Sequence, residues 1–195
     1  MNRFYNIIIG CLLVLITSAC SETFEYKYNE KPMQISCSGA NEKLANEALY
    51  SFFDDITVYY RTKSNDPSEG GMSTYEAYAN YIYEGALGNA DYKSIISAHT
   101  KNVMSELKKE TQLWDKKPAM SNLNYNSEFV NCLIENFKDK DMAATIQSLN
   151  TANSMTPKLM AERFRTTIKA ALEDPNYGMY IALDTYYQYL FDLEN

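Results

Sequence analysis

Apolar residues recur along this chain at intervals of three and four for most of its length, with polar residues between them. Over residues 39–61, Ala45, Ala48, Leu49, Phe52, Ile56, Tyr59 and Tyr60 share one side, while Glu42, Lys43, Glu47, Asp54 and Arg61 share the other. That is the period of an amphipathic helix. Asn65-Asp66-Pro67 and Gly70-Gly71 break it. Ser73 and Glu76 form a capping box that opens a second helix, with Tyr75, Tyr78, Ala79, Ile82 and Ala86 as its buried side and Gly88-Asn89 as its end. A third helix is expected over residues 91–114, with Tyr92, Ile96, His99, Val103, Leu107 and Trp114 on one stripe before Lys116-Lys117-Pro118.

The second half repeats the pattern with clearer start signals. Asn126 or Ser127 caps a fourth helix that buries Phe129, Val130, Leu133, Ile134 and Phe137. A fifth, weaker one runs over residues 141–153 through Met142, Ile146 and Leu149. Thr156-Pro157 and Asp174-Pro175 each set a capping side chain before a proline suited to the first helical position. The sixth helix then buries Met160, Ala161, Phe164, Ile168 and Leu172, and the last one Tyr180, Leu183, Tyr187 and Leu190. The expectation is all-α, a single bundle of six or seven helices whose short loops favour antiparallel neighbours. The starts show no constant period, so this is no repeat array.

The first twenty residues follow a different rule. Arg3 and the amino terminus give a positive start, residues 7–16 are apolar, and Thr17, Ser18 and Ala19 are small. This is the layout of an export signal, and the apolar run is about half the roughly 20 residues a spanning helix needs. Thr17-Ser18-Ala19-Cys20 resembles the lipobox of bacterial lipoproteins, with Thr17 where that family usually has Leu. The resemblance covers the leader alone. It implies cleavage before Cys20, acylation of Cys20, and a mature protein held on a membrane by several acyl chains, since one chain alone binds marginally. Glu22 close behind Cys20 resembles lipoproteins displayed on the outer face of some Gram-negative cells. The alternatives are an ordinary signal cut after Ala19 and an uncleaved anchor. The expected organisation is a signal peptide over residues 1–19, a lipidated cysteine and flexible tether over 20–37, and a helical domain over 38–195.

Removing the leader leaves 17 basic against 25 acidic side chains, a net charge of −8. Without a basic arm to meet phosphates, a nucleic-acid partner is excluded. Seven glycines and five prolines are too few for the turns of a many-stranded sandwich. Seventeen tyrosines make up most of the aromatic content, and a tyrosine's apolar ring with a polar tip suits a wet interface as well as a core.

Catalytic and metal-binding patterns are absent from the sequence. His99 is the only histidine. A general base needs a nucleophile and a cleft, and zinc needs three or four ligands, so His99 reads as a core or boundary residue with a hydrogen-bond partner. Asp54-Asp55 and Asp139-Lys140-Asp141 lack calcium-loop spacing and read as solvated faces or helix starts. Lys158, Arg165 and Lys169 form a basic stripe that Glu162 neutralises within its own helix. No catalytic residue, metal ligand or cofactor is assigned.

Three features carry the functional expectations. Tyr83, Tyr177 and Ile181 fall off the core stripes and form a candidate interaction surface for an envelope protein or glycan; the competing reading buries the last helix on two sides. Cys37 and Cys132 are left once Cys20 is set aside. Export to an oxidising compartment pairs them in a disulfide, against two separate buried thiols. The leading functional expectation is an exported lipoprotein, anchored to the cell envelope at the outer membrane, that binds or assembles with a partner through a helical surface. An envelope enzyme built from Tyr, Asp and Glu and an inhibitory or structural lipoprotein are the alternatives.

Overall fold

The computed structural model describes residues 24–64, 72–118 and 120–193. The fold is all-α, with no named strand among the described residues. In chain order the helices are α1 (Glu42–Lys63), α2 (Thr74–Gly85), α3 (Tyr92–Ile95), α4 (Ala98–Leu107), α5 (Glu128–Glu135), α6 (Lys140–Thr151), α7 (Ala161–Thr166), α8 (Ile168–Glu173), α9 (Pro175–Ala182) and α10 (Gln188–Leu190). A π-helical turn, Leu183–Tyr187, joins α9 to α10. Helix α1 packs on α2, α4 and α9, and α9 also meets α5 and α8, so α1 and the last helix are the axes of the core.

The expected caps at Ser73, Ser127 and Asp174 are present, and Asn41 and Asp139 cap two further helices. The expected start at Thr156-Pro157 is not, since α7 begins at Ala161 without a side-chain cap. Asn41 accepts from the Leu44 amide, Ser127 from Val130, and Asp139 from Asp141 and Met142. Ser73 and Glu76 make the reciprocal capping box of α2, which satisfies donors that a helix cannot satisfy internally. Asp174 accepts from Asn176 and Tyr177, and Pro175 opens α9.

Three elements differ from expectation. The stretch over residues 91–114 is not one helix. Ser97 is extended, caps α4 through its hydroxyl, and donates its own amide to Asp55 Oδ2 at 3.1 Å; a contact from α1 thus interrupts it. Trp114 lies past the end of α4, in a bridged loop pairing with Leu123, and its indole donates to the Leu107 carbonyl at 2.7 Å. The sixth expected helix is divided into α7 and α8 at Thr167, whose hydroxyl lies 2.7 Å from that of Tyr177. Lys158 precedes both, at φ 76°. Tyr75, expected inside, is half-exposed.

Residues 24–37 are not a free tether. They form a strap bound along α1. Asn46 accepts from the Gln34 and Ile35 amides at 2.6 and 3.0 Å and donates to the Ile35 carbonyl at 2.8 Å, so one side chain does the work of a neighbouring strand. Glu47, itself buried, accepts from the Lys27 and Tyr28 amides. In place of a helical ladder, the strap's amides at Lys27, Tyr28, Gln34 and Ile35 are satisfied by side chains of α1. Its end is fixed twice: Cys37 is joined to Cys132 of α5 with Cα atoms 5.7 Å apart, and Gly39, at φ +87°, packs so closely that a Cβ there would lie 2.6 Å from the Phe129 nitrogen.

The core is unusually rich in phenols. Tyr78, Tyr81, Tyr177, Tyr180, Tyr186 and Tyr187 are buried together with Phe52, Phe129, Phe137 and Phe164. Several hydroxyls reach across elements: Tyr186 donates to Asp55 Oδ2 at 2.8 Å and Tyr187 to the Ala48 carbonyl at 2.7 Å. These two hydroxyls join the last helix to α1, while those of Tyr78 and Tyr180 have no partner among the described residues.

Candidate functional site

Residues 177–188 of the last helix are buried on every side, polar and apolar alike, so the helix is enclosed by its neighbours. The Tyr177 ring lies 5.0 Å from that of Phe137, tilted at 54°, and Tyr177 and Ile181 are 1% and 0% exposed. The proposed interaction surface is therefore corrected: two of its three residues are core. Only Tyr83 is exposed, at 68%. The Arg165 guanidinium sits 4.6 Å from its ring centre and donates to its carbonyl at 2.8 Å. Arg165 also meets Glu162 at 3.3 Å, while Lys169 pairs with Glu173 at 3.7 Å; the basic stripe is thus divided among separate partners.

His99 sits at the edge of the core with its Nε2 2.7 Å from Glu47 Oε1. The same carboxyl holds the strap, so the histidine belongs to the fastening of residues 24–28 on α1 and α4. Asp54 bonds Lys27 Nζ at 2.7 Å and the Tyr28 hydroxyl at 2.9 Å on the same side. Burial, opposed in part by Lys27, pushes the Tyr28 phenol up to about 12. Asp55 is a buried strut between α1, α4 and the last helix. Among the described residues no group of three or more His, Cys, Asp or Glu could hold a metal ion, and no helix is long and apolar enough to cross a membrane. Cys20 lies outside the described residues.

The π-helical turn gathers a second polar cluster. Widening the helix sends the Gln188 amide back to Leu183, five residues earlier. It leaves the Thr185 carbonyl to accept from the Tyr81 and Tyr92 hydroxyls at 2.7 and 2.9 Å. Such turns recur at functional positions. Asp184, within the turn, is enclosed, and burial pushes its carboxyl up to about 7 despite a 2.5 Å hydrogen bond from the Tyr125 hydroxyl. Gln188 extends the cluster: its amide donates to the Asp184 carbonyl oxygen and its Oε1 accepts from Ser121 at 2.5 Å.

Tyr125 and Ser121 connect this cluster to a groove of about 350 Å³ between the loop 113–126 and the end of α6. The loop is held by backbone bonds from Asp115 to Asn122 and from Asn124 to Leu113. Asn150 of α6 forms part of the groove wall and is 4% exposed. Its Nδ2 donates to the Tyr125 carbonyl at 3.0 Å, and its Oδ1 accepts from no group among the described residues. An unsatisfied buried acceptor costs about 1–3 kcal/mol, so the position calls for an explanation.

None of Asn150, Tyr125, Asp184 or Glu47 was singled out by motif. The signal available was a polar residue on an apolar stripe: Asn150 stands four after Ile146, and Asp184 follows Leu183 in the last helix's inner run. Glu47 gave no such signal, since the period places it on the polar side of α1, yet it is 3% exposed because the strap covers it. The architecture defines an all-α scaffold with a side-chain-bound strap and a polar groove over a buried carboxyl. No family model, curated protein or solved structure matches the chain.

Proposed function

We propose that this protein is a lipid-anchored module of the bacterial cell envelope, held at the outer membrane through Cys20, that works by binding a partner with its helical body. The observation that carries the reading is the way the chain leaves its leader. Phe24, four residues past Cys20, begins the strap that Glu47 and Asn46 bind to α1. Four residues span at most about 14 Å, so a lipidated Cys20 holds the body directly at the bilayer surface. Phe24, Tyr26 and Tyr28 cluster there with Lys27 and Lys43, a composition suited to a lipid headgroup boundary. The disulfide closes the far end of the strap, in keeping with an oxidising compartment.

The enzyme alternative draws on the raised Asp184 carboxyl beside Tyr125. That acid meets the groove only through a tyrosine whose hydroxyl proton it already accepts, so binding is the better-supported role. Metabolic labelling with a fatty-acid probe tests the anchor: wild type takes up label and stays with membranes, while Cys20→Ser is unlabelled and released. Equal labelling of the two overturns the reading.

A further inference from the structure

We propose that the Cys37–Cys132 bridge is a site of thiol–disulfide exchange, opened by a dithiol that attacks Cys132 Sγ, and that this step makes and breaks the covalent link between strap and body. Three observations point there. The two halves of the bridge are unequally reachable: Cys37 is 1% exposed, whereas Cys132 is only partly buried. Cys132 lines a surface cavity of about 450 Å³ with Ser38, Asn126, Glu128, Asn131 and Glu135, so a small thiol has room to approach on that side. Asn136, exposed one turn after Cys132, aims its Nδ2 at both sulfurs, 3.5 Å from Cys132 Sγ and 3.8 Å from Cys37 Sγ, and its bond to the Cys132 carbonyl at 2.9 Å holds the amide in place. A donor so placed stabilises whichever sulfur carries negative charge.

In the first step one thiolate of the dithiol bonds Cys132 Sγ, the bond to Cys37 breaks, and its electron pair stays on Cys37 Sγ as a thiolate within reach of the Asn136 amide. In the second, the other thiolate of the dithiol attacks its own partner's sulfur and releases Cys132 as a thiolate. The chain gains two electrons, the dithiol leaves as a disulfide, and the two protons it loses end on Cys37 and Cys132. The strap is then free of α5 and still fastened to α1 by Asn46 and Glu47. The cavity also selects the thiol. Glu128 and Glu135 are the charged residues among its described lining, and both are exposed. The attacking species is an anion, so a thiol that carries its own ammonium group meets less repulsion than one that brings further carboxylates.

The folded protein in detergent is treated with dithiothreitol, and separately with the monothiols cysteamine, 2-mercaptoethanol and glutathione. Samples are quenched in acid, and adducts are placed by peptide mass spectrometry. Each monothiol rate is divided by its rate on the urea-unfolded protein, which cancels the thiol's own reactivity. Monothiol adducts are expected on Cys132 at least about tenfold over Cys37, and the rate ratio should fall at least about threefold from cysteamine to glutathione. Dithiothreitol should reduce the bridge at a rate that urea below the unfolding transition leaves unchanged. Asn136→Ala is expected to slow that reduction about three- to tenfold, the worth of one hydrogen bond, and Glu128→Gln with Glu135→Gln to narrow the spread among monothiols. Should the variants fail to fold, the adduct map and the urea dependence of wild type decide alone. Adducts shared equally between the two cysteines, or a reduction rate that climbs steeply with urea, overturns the proposal, since the bridge then opens only as the chain unfolds. Rates indifferent to all three substitutions overturn it as well. The labelling test on Cys20 is independent of these outcomes, so the anchor stands or falls separately.

Discussion

Asp184 gives the fold a defined pH dependence. Its carboxyl lies at about 7 in the folded chain, raised by burial from an ordinary value of 3.8. Below about pH 3 the group is protonated in both folded and unfolded states and contributes no pH dependence. Between about pH 4 and 7 the unfolded chain has released a proton that the folded chain still holds, so stability falls as pH rises. Above 7 the folded carboxyl also ionises and the loss stops growing. A difference of roughly three units at 1.36 kcal/mol each amounts to a loss on the order of 4 kcal/mol across the window. Asp184→Asn keeps the size of the side chain and an oxygen to accept from the Tyr125 hydroxyl, and it removes the titration. Urea unfolding of both proteins at half-unit steps from pH 4 to 8 isolates this group, because every other titration is shared and cancels in the difference. Wild type is expected to lose stability relative to the variant by up to about 1.4 kcal/mol per pH unit, reaching a plateau near pH 8. A flat difference, or one in which wild type gains as pH rises, would refute the claim that this carboxyl is neutral in the folded core.

Two further substitutions probe the frame. Replacing both Cys37 and Cys132 with Ala opens a loop whose ends are 95 residues apart, and the chain-entropy estimate for that length is about 4–5 kcal/mol. For a domain of this size the expected fall in Tm is roughly 10–20 °C, and a calorimetric shift below about 3 °C would show that the bridge adds little to the strap's other fastenings. Tyr177→Ala removes a ring that is 1% exposed and should cost about 3–5 kcal/mol in urea unfolding. Tyr83→Ala, at 68% exposed, should stay within about 0.5–1 kcal/mol of wild type. Near-equal costs would undo the assignment of one to the core and the other to the surface.

The strap and the disulfide belong to one device. Asn46 and Glu47 are consecutive, so they lie about 100° apart around α1 and reach different stretches of the strap: Asn46 binds residues 34–35, and Glu47 binds residues 27–28. The disulfide and the close packing of Gly39 on α5 then turn the chain from strap into helix. Any pull on the amino terminus is therefore received by α1 and α5 together, which suits a chain held by its first residues.

The sequence by itself determined the helical class, the caps at Ser73, Ser127 and Asp174 and the paired cysteines' separation along the chain. Those depend on neighbours within a few positions: Ser73 meets Glu76 three residues on, and Asp174 meets the first amides of α9. A three- and four-residue period reports only that one side of a helix is apolar; it does not say whether the other sides are also covered. For that reason the period leaves Tyr177 and Ile181 open to an outward and a buried reading, and tertiary packing of α1, α5 and α8 around α9 decides for the buried one. The same long-range contacts broke two expected helices, at Ser97 through Asp55 of α1 and at Thr167 through Tyr177 of α9. They also converted residues 24–37 from a tether into a strap, using side chains about 11 to 20 positions away. The groove lies furthest from the sequence's reach. Its wall joins Asn150 to a loop 25 residues earlier and its floor joins Tyr125 to Asp184, 59 residues later, so only the folded chain brings an unsatisfied acceptor and a buried carboxyl to one place.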